Sequence, residues 1–364
     1  MNAQESRIKN RLSALRAGVK DAGADAFVSL AQPDNQYLTG FIGTTSAVVV
    51  TADEALFLCD FRYTEQAHVQ VRGLKIEEVK GGFIKGVCER MNSLKIASAA
   101  YEPSYLTMAQ YKALEAFFRG KLISAPEIVG VLRMVKDSHE IKLIRDASHL
   151  AEGVMTDLVS DLKPGVTEAE LAARFEYEFK RRGAQGASFD SIILFGARSS
   201  MPHGAPSGKP LERGDIILLD FGCRKGGYCS DLTRTFAYGT IPGAWFSEIY
   251  DVVYSAQKAA LRAVRPGVRC RDVDAVARAI IADAGYGQFF GHGLGHGVGV
   301  EIHESPRLNP ESQVILREGM VVTVEPGIYL PERGGVRIED LVVVGKSGCS
   351  NLARTDKKLD ILPI

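Results

Sequence analysis

Apolar residues at Ile8, Leu12, Leu15 and Val19 recur at the spacing of one helical face, so the chain opens on an amphipathic helix that closes near Gly23. Beyond it, short apolar runs alternate with helical patterns. Asp25 to Leu30, Ser46 to Thr51, Ala55 to Asp60 and Lys95 to Ala100 read as strands, with 62–71 and 104–118 as helices between them. That alternation predicts an α/β domain. The pattern weakens over 124–137. Asp137, with Glu140 three residues later, then has the spacing of a capping box and starts a long helical stretch towards Asp161. These signals divide the chain into an N-terminal domain, 1–130, and a second domain, 131–364.

The second domain repeats itself faintly. Lys163-Pro164-Gly165-Val166 returns as Arg265-Pro266-Gly267-Val268, Glu170 as Asp272 and Gly183 as Gly285, all at one offset. Each copy reads as turn, amphipathic helix, glycine stop and strands, which predicts two pseudo-symmetric halves around a central cleft.

Composition narrows the function classes. Over 364 residues, 44 Lys and Arg balance 44 Asp and Glu, so no global field draws the chain to nucleic acid or an anionic membrane. The six cysteines include no CxxC pair, which speaks against a disulfide scaffold or a zinc knuckle. The first eighteen residues lack the apolar core of a signal peptide, so the expected location is the cytoplasm.

Chemistry concentrates in the C-terminal half. Residues 214–231 read as a hairpin with a glycine-rich turn at Lys225 to Gly227 and an acid on each arm, Asp220 and Asp231. With the turn centred between Lys225 and Gly226, the two acids lie directly opposite, their Cβ atoms about 4.5–5.5 Å apart. For either Asp alone, a turn or solvent-facing role is the ordinary reading. The run 289–304 places His292, His296 and His303 among glycines. Neither GxGxxG nor GxxxxGK[ST] is met there, and HExxH fails because Arg307 follows His303-Glu304. Glu325 ends the apolar run from Met320, and Glu339 sits inside the run from Val336 to Val344.

Carboxylates in buried strands are costly unless a cation compensates them. Asp220, Asp231, His296, Glu325 and Glu339 together look like a two-metal hydrolase site, hard and oxygen-rich, suited to Mn²⁺, Co²⁺ or Zn²⁺. Arg337 shares a strand face with Glu339 by period-2 alternation, either as a plain ion-pair partner or as a supporting or substrate-binding arginine.

These runs, MPHG at 201–204, LLDFG to GYCSDLTRTF at 218–236, GHGLGHGVGVEIHE at 291–304, TVEPGIY at 323–329 and VRIED at 336–340, resemble the pita-bread metallopeptidases, and among them the prolidase and aminopeptidase P type. Asn35 to Phe41 and Asp60 to Ala67 resemble the creatinase/prolidase N-terminal domain. The resemblance implies an α/β N-terminal domain followed by an α+β pita-bread catalytic domain with an internal pseudo-two-fold duplication. It implies Asp220, Asp231, His296, Glu325 and Glu339 as ligands of two divalent ions, manganese first, with cobalt or zinc as the others. It implies His203, His292 and His303 as histidines that bind substrate and support the intermediate, with Arg337 outside them and Glu325 also moving the proton.

The expected activity is hydrolysis of the Xaa-Pro bond of dipeptides or of short peptide N-termini by a bridging hydroxide, in a homodimer. Proline specificity rests on the resemblance alone. A methionine aminopeptidase fits poorly, because residues 1–130 precede the catalytic half. The alternatives are a pita-bread hydrolase without proline specificity, and a metal-free creatinase-like or purely peptide-binding member of the fold, against which the intact five-residue set argues.

Overall fold

The computed structural model describes residues 3–363 and divides into two compact units, Met1–Arg133 and Met134–Ile364. In the first, the helix Ala3–Asp21 buries Ile8, Leu12, Leu15 and Val19, the face its spacing predicts. A six-stranded sheet runs in the order Lys75–Glu78, Ala55–Cys59, Ala47–Thr51, Ala26–Ser29, Ser98–Tyr101, Lys121–Ser124. Its three middle pairings mix hands: Ala26–Ser29 is antiparallel to Ala47–Thr51 and parallel to Ser98–Tyr101. The two outermost strands escape sequence reading because they are half-exposed and carry charge, as short edge strands commonly do. The strand expected from Lys95 begins only at Ser98, because Lys95 takes a left-handed φ of 57° just after the helix Phe83–Ser93.

The second unit begins on the capping box. Asp137 accepts from the amides of His139 and Glu140 and starts the helix Ser138–Ser160. That helix and Glu168–Arg181 pack on a four-stranded sheet ordered Ile361–Leu362, Leu232–Tyr238, Ile216–Phe221, Ile192–Phe195. Helices Ala244–Ala263 and Cys270–Asp283 pack likewise on a five-stranded sheet ordered Glu304–Leu308, Gly295–Gly297, Val321–Val324, Asp340–Val344, Cys349–Asn351.

The duplication is visible bond by bond. Gly165 and Gly267 have φ of 88° and 84°, and their amides donate over 2.9 Å to the carbonyls of Leu211 and Leu316. Leu211 and Leu316 in turn donate over 2.8 Å to Val166 and Val268. Gly183 and Gly285 end the following helices at φ 86° and 85°. Only the first copy keeps a capping box, Thr167 with Glu170; in the second, Arg269 occupies the cap position and Asp272 forms none.

One isolated bridge, Thr233 to Glu339, stitches the sheet of one half to that of the other. No helix among the described residues is long and apolar enough to cross a membrane.

Candidate metal centre and catalytic cavity

A single cavity of about 720 Å³ is lined by His203, Asp220, Asp231, His292, His296, His303, Glu325, Arg337 and Glu339, so every site residue read from the sequence reaches it. The first half supplies Asp220 at the end of the strand Ile216–Phe221 and Asp231 just ahead of Leu232–Tyr238. His296 lies in the short strand Gly295–Gly297 of the second half.

The hairpin turn is centred one residue later than in the sequence reading, which moves every cross-strand pairing by two residues. Gly226 and Gly227, at φ 58° and 83°, form a two-residue turn that pairs Lys225 with Tyr228 and therefore Asp220 with Thr233. Both turn positions need positive φ, which two consecutive glycines supply, so the centre falls between them. Asp231 is carried to the level of Gly222, on the same face as Asp220 but diagonal to it. A side chain at Gly222 would collide with the carbonyl of Ser230, so the glycine is what lets the two arms close there.

Opposed acids occur elsewhere. The run Val336 to Val344 is two strands, Gly334–Arg337 and Asp340–Val344, each paired with a different partner, Gly327–Leu330 and Val321–Val324. Pairing Val324 with Asp340 and Gly327 with Arg337 sets Glu325 opposite Glu339 at the gap in the ladder. The gap has two causes. Pro326 has no N–H to give, and the amide of Glu339 turns away to the carbonyl of Thr233 at 3.2 Å. Both glutamates are thereby released from the ribbon towards the cavity.

One donor atom each from Asp231, His296 and Glu339 lies within 4.8 Å of the others. Nδ1 of His296 donates to the carbonyl of Gly297 at 3.0 Å, so Nε2 carries the lone pair. That lone pair sits 3.5 Å from Oδ2 of Asp231 and 3.3 Å from Oε1 of Glu325. Burial pushes His296 down to about 3, so the ring is neutral and neither contact is an ion pair. Burial, reinforced by the neighbouring acids, raises Asp231 and Glu339 well above the carboxylate range, and burial lifts Glu325 to about 8. Asp220 is also raised by burial, with Arg337 opposing the rise.

Oδ1 of Asp220 and Oε1 of Glu339 are buried without a hydrogen-bond partner. Acceptors crowded together with orphaned oxygens form an arrangement that bound divalent cations satisfy.

Arg337 proves to be an ion-pair partner of Asp220, donating from Nη2 to Oδ2 at 2.6 Å, and it also donates to Thr233 and to the hydroxyl of Tyr329. The Tyr329 hydroxyl in turn lies 2.9 Å from Nε2 of His292, whose Nδ1 donates to Gly293. With burial lowering His292 to about 4, its ring is neutral and both nitrogens are engaged. His203 and His303 are exposed on the cavity wall, the latter edge-to-face with His296 at 4.4 Å between ring centres.

Several residues went unread in the sequence. Thr233 donates to Oε2 of Glu339 at 2.7 Å, and Thr323 to Oε1 of Glu325 at 3.1 Å. Each stands two residues from an acid of the site, which is the same strand face and the signal that would have found them. Arg307 is the register partner of His296 and lines the cavity, as does Asp190.

Comparison with known proteins identifies the family. Residues 142–346 match the model of "Metallopeptidase family M24" and residues 11–135 that of the "Creatinase/Prolidase N-terminal domain". A Xaa-Pro dipeptidase of Pyrococcus horikoshii is 36% identical over 340 residues, covering 92% of this chain and 94% of that protein. Among solved structures, a Xaa-Pro dipeptidase from Bacillus anthracis superimposes with TM-score 0.94 at 38% identity, over 98% of this chain and 100% of its own. An X-Pro aminopeptidase from Thermotoga maritima gives TM-score 0.88 at 37% identity, over 96% and 100%. This chain belongs to metallopeptidase family M24, in the prolidase and aminopeptidase P type that joins a creatinase-like N-terminal domain to a pita-bread catalytic domain, and it is a peptidase.

Proposed function

We propose that this peptidase hydrolyses the Xaa-Pro bond, with dipeptides as the preferred substrates over longer peptides, in the cytoplasm and as a homodimer. The observation that carries the reading is the convergence of Asp220, Asp231, His296, Glu325 and Glu339 on one cavity with oxygens left unsatisfied. These five residues would hold two divalent ions, manganese first, with cobalt or zinc as alternatives. When bound, such a pair supplies an activated water and polarises the scissile carbonyl.

The chain's own groups do the rest. Glu325 accepts the proton and delivers it to the leaving proline nitrogen. His203, exposed to the cavity, donates a hydrogen bond to the substrate oxygen as charge develops there. For His292 to do the same from Nε2, its single proton has to move there from Nδ1, releasing both the Gly293 carbonyl and the Tyr329 hydroxyl. His303 orients the proline side.

Arg307 supports the lean to dipeptides. Its side chain projects on the same face as His296, its register partner, and is exposed on the cavity wall. A guanidinium there matches the free carboxylate that follows proline only in a dipeptide.

The test is the initial hydrolysis rate on a Xaa-Pro dipeptide and a Xaa-Pro-Xaa tripeptide, with metal-stripped protein before and after Mn²⁺ addition. Metal-dependent cleavage of the dipeptide alone is the expected result. Tripeptide cleavage would reassign the chain as an aminopeptidase P, and no cleavage of either would overturn proline-directed hydrolysis.

A further inference from the structure

Lys136 is a lysine in the core. Its ammonium donates to Oε2 of Glu304 at 3.1 Å, and the two side chains are 1% and 4% exposed. An ion pair so completely removed from water is expensive to maintain for stability alone, since an apolar pair of the same volume commonly does as well. What the pair holds suggests another reason for it.

Glu304 directly follows His303. Its other oxygen, Oε1, accepts the amide of Glu301 at 3.0 Å, so one carboxylate closes the turn that presents His303. The turn is tied in at two further points. The amide of Gly299 donates to the carbonyl of Glu301, and Cys229 donates to that of Gly299. A Cβ at Gly299 would lie about 2.5 Å from the Glu304 carboxylate, so the glycine is the space into which Glu304 fits.

At its other end Lys136 is anchored to the strand that leads to Glu325. Its amide donates to the carbonyl of Gly319 at 2.9 Å, and Val135 bridges to Met320. Lys136 thus joins the base of the Glu325 strand through its backbone to the His303 turn through its side chain.

We propose that Lys136, acting through Glu304, is a positioning residue that sets His303 against His296 and the substrate. The proposal rests on the reading that His303 contacts substrate. It requires no change in the five ligand residues.

The experiment is a double-mutant cycle in the metal-loaded full-length protein. Lys136→Met is expected to lower kcat/KM on a Xaa-Pro dipeptide about tenfold or more, as a small misplacement of a positioning group does. In a His303→Ala background the same change is expected to cost less than about twofold, because the group it positions is gone. Equal losses in both backgrounds, or no loss in either, would overturn the proposal. Should Lys136→Met fail to fold, Lys136→Met combined with Glu304→Gln removes both charges of the pair and enters the cycle instead.

A second readout is independent of turnover. In protein labelled with ¹³C-histidine, the His303 ring resonances are expected to shift in Lys136→Met and return towards their original place in Lys136→Arg, while those of His292 stay fixed. An unmoved His303 signal sinks the inference even if the enzyme is active. A moved one in a protein that cleaves no Xaa-Pro bond upholds the positioning of His303 while removing the proposed function.

Discussion

The hydroxyl of Thr233 donates to Oε2 of Glu339 across 2.7 Å, at an isolated bridge between the two halves of the catalytic unit, while Oε1 of the same carboxylate stays buried without a partner. Half of the carboxylate is oriented by the protein and half is left for something else. Thr233→Val keeps the shape and removes the hydroxyl. The expected outcome is a Mn²⁺ affinity lowered roughly 10- to 100-fold, as for other groups that orient a ligand, with little change in fold. Calorimetric titration of the metal-free variant checks it.

Glu325→Gln preserves volume at a half-buried position yet cannot carry a proton. Turnover of a Xaa-Pro dipeptide should fall by roughly 10²- to 10⁴-fold, with an unchanged circular dichroism spectrum. Asp231→Asn should do likewise by weakening the ion site. Near-normal activity in either purified variant removes that residue from the site.

Removing metal should loosen the catalytic unit. Asp231, Glu325 and Glu339 are buried close enough to raise one another's proton affinity or to be raised by burial itself, so an ion that binds only the folded form adds stability by mass action. Free Mn²⁺ at about 100 times its Kd corresponds to about 2.7 kcal/mol, or an upward shift in melting temperature of roughly 5–10 °C over the chelated protein. A thermal melt insensitive to Mn²⁺ and to chelator would argue against ion binding at the native state.

Arg307→Gln separates recognition of the carboxylate from catalysis. On a Xaa-Pro dipeptide, kcat/KM should drop roughly 10- to 100-fold, the worth of a charge-assisted hydrogen bond. On the same dipeptide with an amidated C-terminus it should barely change. An equal loss on both substrates would mean that Arg307 does not read the carboxylate.

Two cysteines outside the cavity lining give a pH signature. Desolvation by burial pushes Cys88 and Cys270 up to about 11 from an ordinary 9.0. Between those values the unfolded chain has lost protons that the folded chain keeps, so stability declines as pH rises through about 9. Native protein at pH 8 should therefore resist iodoacetamide at both thiols, and unfolding in denaturant should expose both to it. Peptide mass spectrometry of labelled protein distinguishes the two states.

The division between what was legible beforehand and what was not follows residue chemistry. Asp220, Asp231, Glu325 and Glu339 stood out because acids interrupt apolar strands, and the helix at Ser138 because Asp137 and Glu140 have capping spacing. Strand partnership was less accessible. One glycine more or less at the centre of the 220–231 turn moves Asp220 from Asp231 to Thr233, and pattern alone does not choose between Gly226 and its neighbour. Nor does an apolar run announce that it changes partners midway, as 336–344 does at Glu339, since both segments are buried and both favour strand. Thr233, Thr323 and Tyr329 were passed over because such residues fill strands in any protein; only their partners mark them.

The repeat distributes the site unevenly, with Asp220 and Asp231 on one copy and His296, Glu325 and Glu339 on the other. A lone ancestral copy with this wiring could complete such a centre only by meeting a second one. Fusing two into one chain would replace that encounter with an internal one, at an effective concentration on the order of millimolar for a short tether. Once joined, the copies no longer had to be equivalent. One copy now contributes two acids and the other the imidazole and the ribbon of opposed glutamates, an inequivalence that two identical partners related by symmetry do not have.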